Sequence, residues 1–249
     1  MDVRVVPGRE AARIAADIVE EVVRTIPQPV LGVATGSSPL ALYDELERRH
    51  REHGLRFDHV RAFLLDEYVG LPADHPERYR NVILRELAER VSMVPCAVHA
   101  PDPDAEDPAE SSARFEAAIR AAGGVDVQIL GIGTDGHIAF NEPGSALDSR
   151  TRLAELTEQT RRDNARFFGG DVEAVPRHCI TQGLGTILEA RHLVLLASGE
   201  AKAQALRQAL AGPVTSDCPA SVLQLHPRVT VLADPAAASL LEGEPSPAR

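Results

Sequence analysis

Residues 30–40 read Val-Leu-Gly-Val-Ala-Thr-Gly-Ser-Ser-Pro-Leu. The first five, Val30 to Ala34, are uniformly apolar, which suits a strand buried on both faces rather than one with a wet side. Thr35, Gly36, Ser37 and Ser38 break that run, and an amphipathic stretch from Leu40 to His53 follows. Gly36 lets the chain turn tightly and approach a ligand. Ser38 is a good N-cap and Pro39 suits the first helical position. A buried strand that turns straight into a helix is one half of a βαβ unit.

The same alternation extends in both directions. Val60 to Leu65, Val125 to Gly131, His192 to Ala197 and Val229 to Leu232 are further apolar strand candidates. Glu10 to Thr25, Glu77 to Arg90, Pro108 to Ala122 and Glu200 to Leu210 are helix candidates. In the first, Ile14, Ile18 and Val22 recur every fourth residue, as one buried face would. The expected fold is α/β: a doubly wound, mostly parallel sheet with helices on both faces.

No break in composition divides the 249 residues, so one domain over 1–249 is expected, with a frayed tail at 242–249. Residues 157–181 are the least regular stretch, polar and charged, with Gly169-Gly170 and Pro176. They form either a plain surface excursion or a lid.

A formal net charge of −11 opposes nucleic acid and anionic membrane as partners. The apolar runs are far shorter than the roughly 20 residues of a spanning helix. MDVRVVPGRE has no apolar h-region. The three cysteines, Cys96, Cys179 and Cys218, form no CxxC pair and fit a reducing cytoplasm better than a disulfide or zinc framework.

Candidate chemistry sits at strand ends. Backbone N–H groups of Thr35 to Ser38, with the positive end of the next helix, make an anion site; an ordinary capped βα turn is the alternative. No Gly-Lys-Ser/Thr follows, so a nucleoside triphosphate is not indicated. Val60 to Leu65 runs into Asp66, either a general base or a carboxylate capping the next turn. Val125 to Leu130 runs into GIGTDGHIAFNEPGS, where Asp135, His137 and Glu142 cluster. A histidine between two carboxylates is oriented and made more basic for proton transfer at hydroxyls, unless it is merely structural. Gly131, Gly133 and Gly136 also satisfy GxGxxG, but Asn141, Pro143 and Gly144 deny it the helix that a dinucleotide site needs. His50 and His53 lie among charged residues and read as a solvated helix face. Lys202, the chain's only lysine, opens a helix whose dipole it opposes, which points to an anionic partner or to a plain surface lysine. Arg166, inside 157–181, could close over the same anion.

GVATGSSPL (32–40), LDEYVGLP (65–72), LGIGTDGHIAFNEP (130–143), SRTR (149–152) and LQLHP (223–227) occur in that order. Together they resemble the glucosamine-6-phosphate deaminase family, over about Arg4 to Asp234. The resemblance implies a Rossmann-like sheet with a lid at about 157–181. It implies conversion of glucosamine 6-phosphate and water to fructose 6-phosphate and ammonia, with no metal and no other cofactor. Asp66 would move the proton between C2 and C1. Asp135, His137 and Glu142 would serve ring opening. Thr35, Gly36, Ser37, Ser38, Arg166 and Lys202 would hold the phosphate. The related 6-phosphogluconolactonases share GxDGH but neither IAFNEP nor LDEYVGLP. Such a lactonase, or a non-catalytic sugar-phosphate sensor, is the rival reading. Many relatives are hexamers activated by N-acetylglucosamine 6-phosphate, which leaves a homo-oligomer open. Ala154 replaces a basic residue of their activator site, and the C-terminal segment is short, so weak or absent activation is expected.

Overall fold

The computed structural model describes residues 1–241; the tail expected at 242–249 lies outside them. The strands are β1 (Asp2–Val5), β2 (Val30–Val33), β3 (Arg61–Leu64), β4 (Asp66–Tyr68), β5 (Val98–His99), β6 (Val127–Leu130), β7 (Arg152–Glu155), β8 (His178–Thr181), β9 (Leu193–Ala197) and β10 (Val229–Ala233). The helices are α1 (Gly8–Thr25), α2 (Leu40–His53), α3 (Tyr79–Ile83, continued by a wider turn at Leu84–Ala88), α4 (Pro108–Ala121), α5 (Glu158–Asn164), α6 (Leu184–Leu188) and α7 (Ala203–Ala211).

Seven strands form one sheet in the order β1-β10-β9-β6-β2-β3-β5, and each adjacent pair is parallel. Every residue of β2, β6, β9 and β10 is buried, so helices cover both faces of the sheet's centre. The winding starts at β2 and proceeds one way through β3 and β5, the other way through β6, β9 and β10. The chain therefore reverses between β2 and β6, and ligands of such sheets bind outside the strand ends at that reversal.

Two expectations needed correcting, and one sheet was not foreseen. The deepest stripe of α1 is Ala11, Ala12, Ala15, Ala16, Val19 and Val23, while Ile14, Ile18 and Val22 flank it half-buried. Small alanines let α1 approach the sheet, and the larger side chains fill the margins. Ser38 does not cap α2: Pro39 precedes the helix already in the αR region, and no side-chain cap bond forms. The segment after Leu65 and the end of the 157–181 stretch also carry strands that the sequence reading did not foresee. β4, β8 and β7 make a second, antiparallel sheet in which Asp66 faces Thr181 and Tyr68 faces Cys179.

The charged face expected around His50 and His53 is only partly solvated. Arg49 is buried and bridges Asp17 and Glu20 of α1 to Glu45 of its own helix. Among the described residues, no helix is long and apolar enough to cross a membrane.

At the other end of the sheet His192 is buried, with Nε2 2.9 Å from the Thr230 hydroxyl. Burial first, then the nearby Arg228 and His226, lower its pKa from 6.5 to about 4. The folded protein thus favours the neutral ring, while the unfolded chain protonates below about pH 6.5. This contribution, on the order of 2 kcal/mol, is complete above that pH and is lost as pH falls toward 4. Thermal melts from pH 7.5 to 4.5 should show a steeper fall in the native protein than in His192→Gln, which keeps a hydrogen-bonding partner for Thr230; parallel curves would contradict the assignment.

Candidate active site

Loops from four strand ends meet at the reversal point. The β2 loop carries Thr35 to Ser38, with Gly36 at φ +82°. Thr35, Gly36 and Ser38 are half-buried and Ser37 is exposed. Ser38 lies across the gap to β6, its Oγ near enough to Gly131 that a Cβ there would sit 3.4 Å away.

Asp66 is 6% exposed, and burial, then the charge of Glu67, pushes its carboxyl well above the usual range. Capping of the next turn falls to Glu67 instead. The Glu67 carboxylate accepts from the backbone N–H groups of Tyr68, Tyr79 and Arg80, holding the start of α3. This leaves Asp66 free to act on something else in the site.

The β6 loop supplies the second group. His137 Nδ1 lies 2.7 Å from Asp135 Oδ1 and 3.6 Å from Glu142 Oε2. The first contact is off the N–H axis and the second is too long for a hydrogen bond, so Nδ1 and Glu142 Oε2 are buried without a hydrogen-bond partner among the described residues. Such atoms are costly unless a ligand satisfies them. Burial works to raise Asp135, but the close imidazole and the backbone N–H of His137 outweigh it and hold the carboxyl at about 2. Gly133 makes this packing possible, since a Cβ there would overlap the His137 ring and Asp135. No helix follows, in keeping with the rejected dinucleotide reading: 131–151 is loop until β7. One donor atom each from Asp135, His137 and Glu142 falls within 4.8 Å, a set able to accept a divalent cation.

The two acidic groups are stitched together through β8. Phe140 N–H donates to Thr181 Oγ1, and Thr181 pairs with Asp66. The Asn141 amide donates to the Gln182 carbonyl, and Gln182 donates to the carbonyls of Leu64 and Leu65. The charges of Asp66 and Glu142 both act on buried Cys179, raising its thiol pKa beyond what burial does.

Lys202 follows β9 in the short turn Glu200–Lys202 and is half-buried. Burial lowers its pKa, with Asp163 and Asp135 opposing and Arg166 reinforcing the shift. Arg166 is exposed, its guanidinium 4.8 Å from the Phe167 ring. Neither cation has an ion-pair partner among the described residues, unlike Arg49, Arg78, Arg90 or Arg150. The sequence reading gave no role to Glu67, Tyr68, Tyr79, Asn164, Thr181 and Gln182. Only Glu67 carried a visible signal, beside Asp66 before a helix.

The family model for glucosamine-6-phosphate isomerases and 6-phosphogluconolactonases matches residues 8–232. The chain belongs to this family. It is 62% identical to a glucosamine-6-phosphate deaminase of Beutenbergia cavernae over 97% of this chain and 93% of that protein. It is 61% identical to one of Mycolicibacterium smegmatis over 95% and 90%. A solved monomeric glucosamine-6-phosphate deaminase superposes with a TM-score of 0.93 at 40% identity, covering 96% of this chain and all of that one. The 6-phosphogluconolactonase of Trypanosoma cruzi shares the fold, with a TM-score of 0.77 at 22% identity over 97% of each chain.

Proposed function

We propose that the protein is a glucosamine-6-phosphate deaminase, working as one domain in the cytoplasm. The observation that carries this reading is the buried, proton-hungry Asp66 beside an anion cradle. Lactone hydrolysis needs no proton moved between carbons, whereas an aldose–ketose rearrangement does. A carboxylate that burial makes more basic suits removal of a proton next to a carbonyl. The high identity to chains named as deaminases supports the same choice.

The phosphate binds at Thr35 to Ser38, at the amino end of α2, with Lys202 and Arg166 neutralising it. That anchors a non-reacting end and orients the rest. His137, held by Asp135 and Glu142, carries the hemiacetal proton as the ring opens to the aldehyde. Asp66 then takes the C2 proton, giving an enolamine, and returns it to C1. The resulting C2 imine adds water and releases ammonia, leaving fructose 6-phosphate. Metal and other cofactors have no step in this sequence.

Assay of the purified protein with glucosamine 6-phosphate should give ammonia and fructose 6-phosphate in equal amounts, and little hydrolysis of 6-phosphogluconolactone. Lactone hydrolysis without ammonia would favour the lactonase, and binding without turnover the sensor.

A monomer is the assembly the reading favours over a homo-oligomer, by analogy with the solved monomeric relative. The surface where relatives hold their activator is altered. A depression of about 410 Å³ is lined by Glu142, Ser145, Arg152 and Ala154, among others. Arg152 already donates to Asn141 Oδ1 and Ser145 Oγ, and Ala154 offers no charge. Rates should follow a hyperbolic substrate curve that N-acetylglucosamine 6-phosphate leaves unchanged; a sigmoidal curve made hyperbolic by that ligand would contradict this.

A further inference from the structure

Residues 157–181 rest on a small apolar cluster of their own. Tyr68, Leu71, Phe140, Leu156, Ala165, Val175 and Cys179 are buried together, apart from the main core. Tyr68 is 1% exposed, and its ring centre lies 4.6 Å from Tyr79, 5.6 Å from Phe140 and 5.8 Å from Phe168. One turn of the lid grips this ring: Asn164 by hydrogen bond, Ala165 and Phe168 by packing.

The polar atoms in the cluster form a directed chain. Asn164 Nδ2 donates to the Tyr68 hydroxyl at 2.9 Å, and the Tyr79 hydroxyl donates to it at 3.1 Å. A phenol oxygen has two acceptor sites and one hydrogen. Both acceptor sites are filled, so the Tyr68 hydrogen remains available. Tyr79 is fixed by its backbone N–H bond to the Glu67 carboxylate. The chain therefore runs from Glu67, next to Asp66, through Tyr79 and Tyr68 to the lid. Arg166 sits between the gripping residues Ala165 and Phe168, but is exposed. Placing Asn164 places Arg166.

We propose that Asn164 and Tyr68 form a latch that docks the lid and sets the position of Arg166, and that Tyr79 ties this latch to Glu67, the neighbour of Asp66. Asn164 is thus a positioning residue. The assignment rests on the deaminase reading for its substrate, but not for its inorganic phosphate test. Binding of the anion end should depend on the latch more than proton transfer does, because Asp66, Asp135 and His137 lie outside the lid.

The test uses the intact protein with Asn164→Leu, Tyr68→Phe and the double variant. Each single variant should raise KM for glucosamine 6-phosphate about five- to tenfold, as loss of one buried hydrogen bond does, with a smaller change in kcat. The double variant should be no worse than Tyr68→Phe alone, since that variant already removes the acceptor of the Asn164 bond. Inorganic phosphate should protect Gly169-Gly170 from proteolysis at a lower concentration in the native protein than in either variant. Tyr68→Phe removes one oxygen and keeps the ring, so it reads the latch even where Asn164→Leu folds poorly. Unchanged KM and unchanged phosphate protection in Tyr68→Phe, or single effects that multiply in the double variant, would overturn the latch. Native protein that releases no ammonia but keeps latch-dependent phosphate protection would overturn the deaminase reading alone.

Discussion

Asp66→Asn should lower kcat by about 10²–10⁴-fold, the usual worth of a positioned proton-transfer group, while inorganic phosphate binds as before. Asparagine keeps the shape of the side chain and removes the base. No hydrogen bond to the Asp66 carboxyl stabilises the strand pairing, and the next turn is held by Glu67, so the fold should persist. The variant should also fail to exchange the C2 hydrogen of substrate with deuterated solvent. Rapid C2 exchange in the variant would remove Asp66 from the role. The native protein offers a matching pH signature. Asp66 must be ionised to act, and burial, with Glu67 beside it, raises its pKa. The acid limb of kcat/KM should therefore lie well above the usual carboxylate range, with activity lost as pH falls through it.

Gly133→Ala should cost on the order of 10²-fold in kcat/KM, close to loss of a proton-transfer group, with little change in melting temperature. The added methyl group would occupy space now filled by the His137 ring and the Asp135 carboxylate. Those atoms are side-chain tips, so the ring can swing away without unfolding the loop. The swing breaks the 2.7 Å approach of Nδ1 to Asp135 and leaves the imidazole misaimed. Activity equal to native, with the ring unmoved in a structure of the variant, would show that the loop absorbs the methyl group elsewhere.

The parallel sheet was legible because its central strands are buried on both faces and read as unbroken apolar runs. Asp66, Asp135 and Lys202 were legible because each lies within five residues of the end of such a run. The second sheet was not, because β4, β7 and β8 have three or four residues each and their partners lie far away in the chain. Asp66 to Tyr68 looked like the start of a loop until Thr181 and Cys179 came beside it. The α1 stripe was misjudged by one position, because alanine contributes little to an apolar pattern while packing closest. Asn164 and Tyr68 are 96 residues apart, and nothing in either local segment announces their hydrogen bond. Ser38 had the composition of a cap, but the helix starts one residue later, with Pro39 in the capping position and no side-chain cap bond.

A crystal structure of the protein with fructose 6-phosphate would examine the convergence of these groups most directly. The phosphate should lie on the backbone of Thr35 to Ser38 with Lys202 and Arg166 over it, C1 and C2 beside Asp66, and the ring-closing hydroxyl at His137. A sugar bound with its phosphate near Arg152, or with C1 and C2 turned away from Asp66, would contradict the assignment.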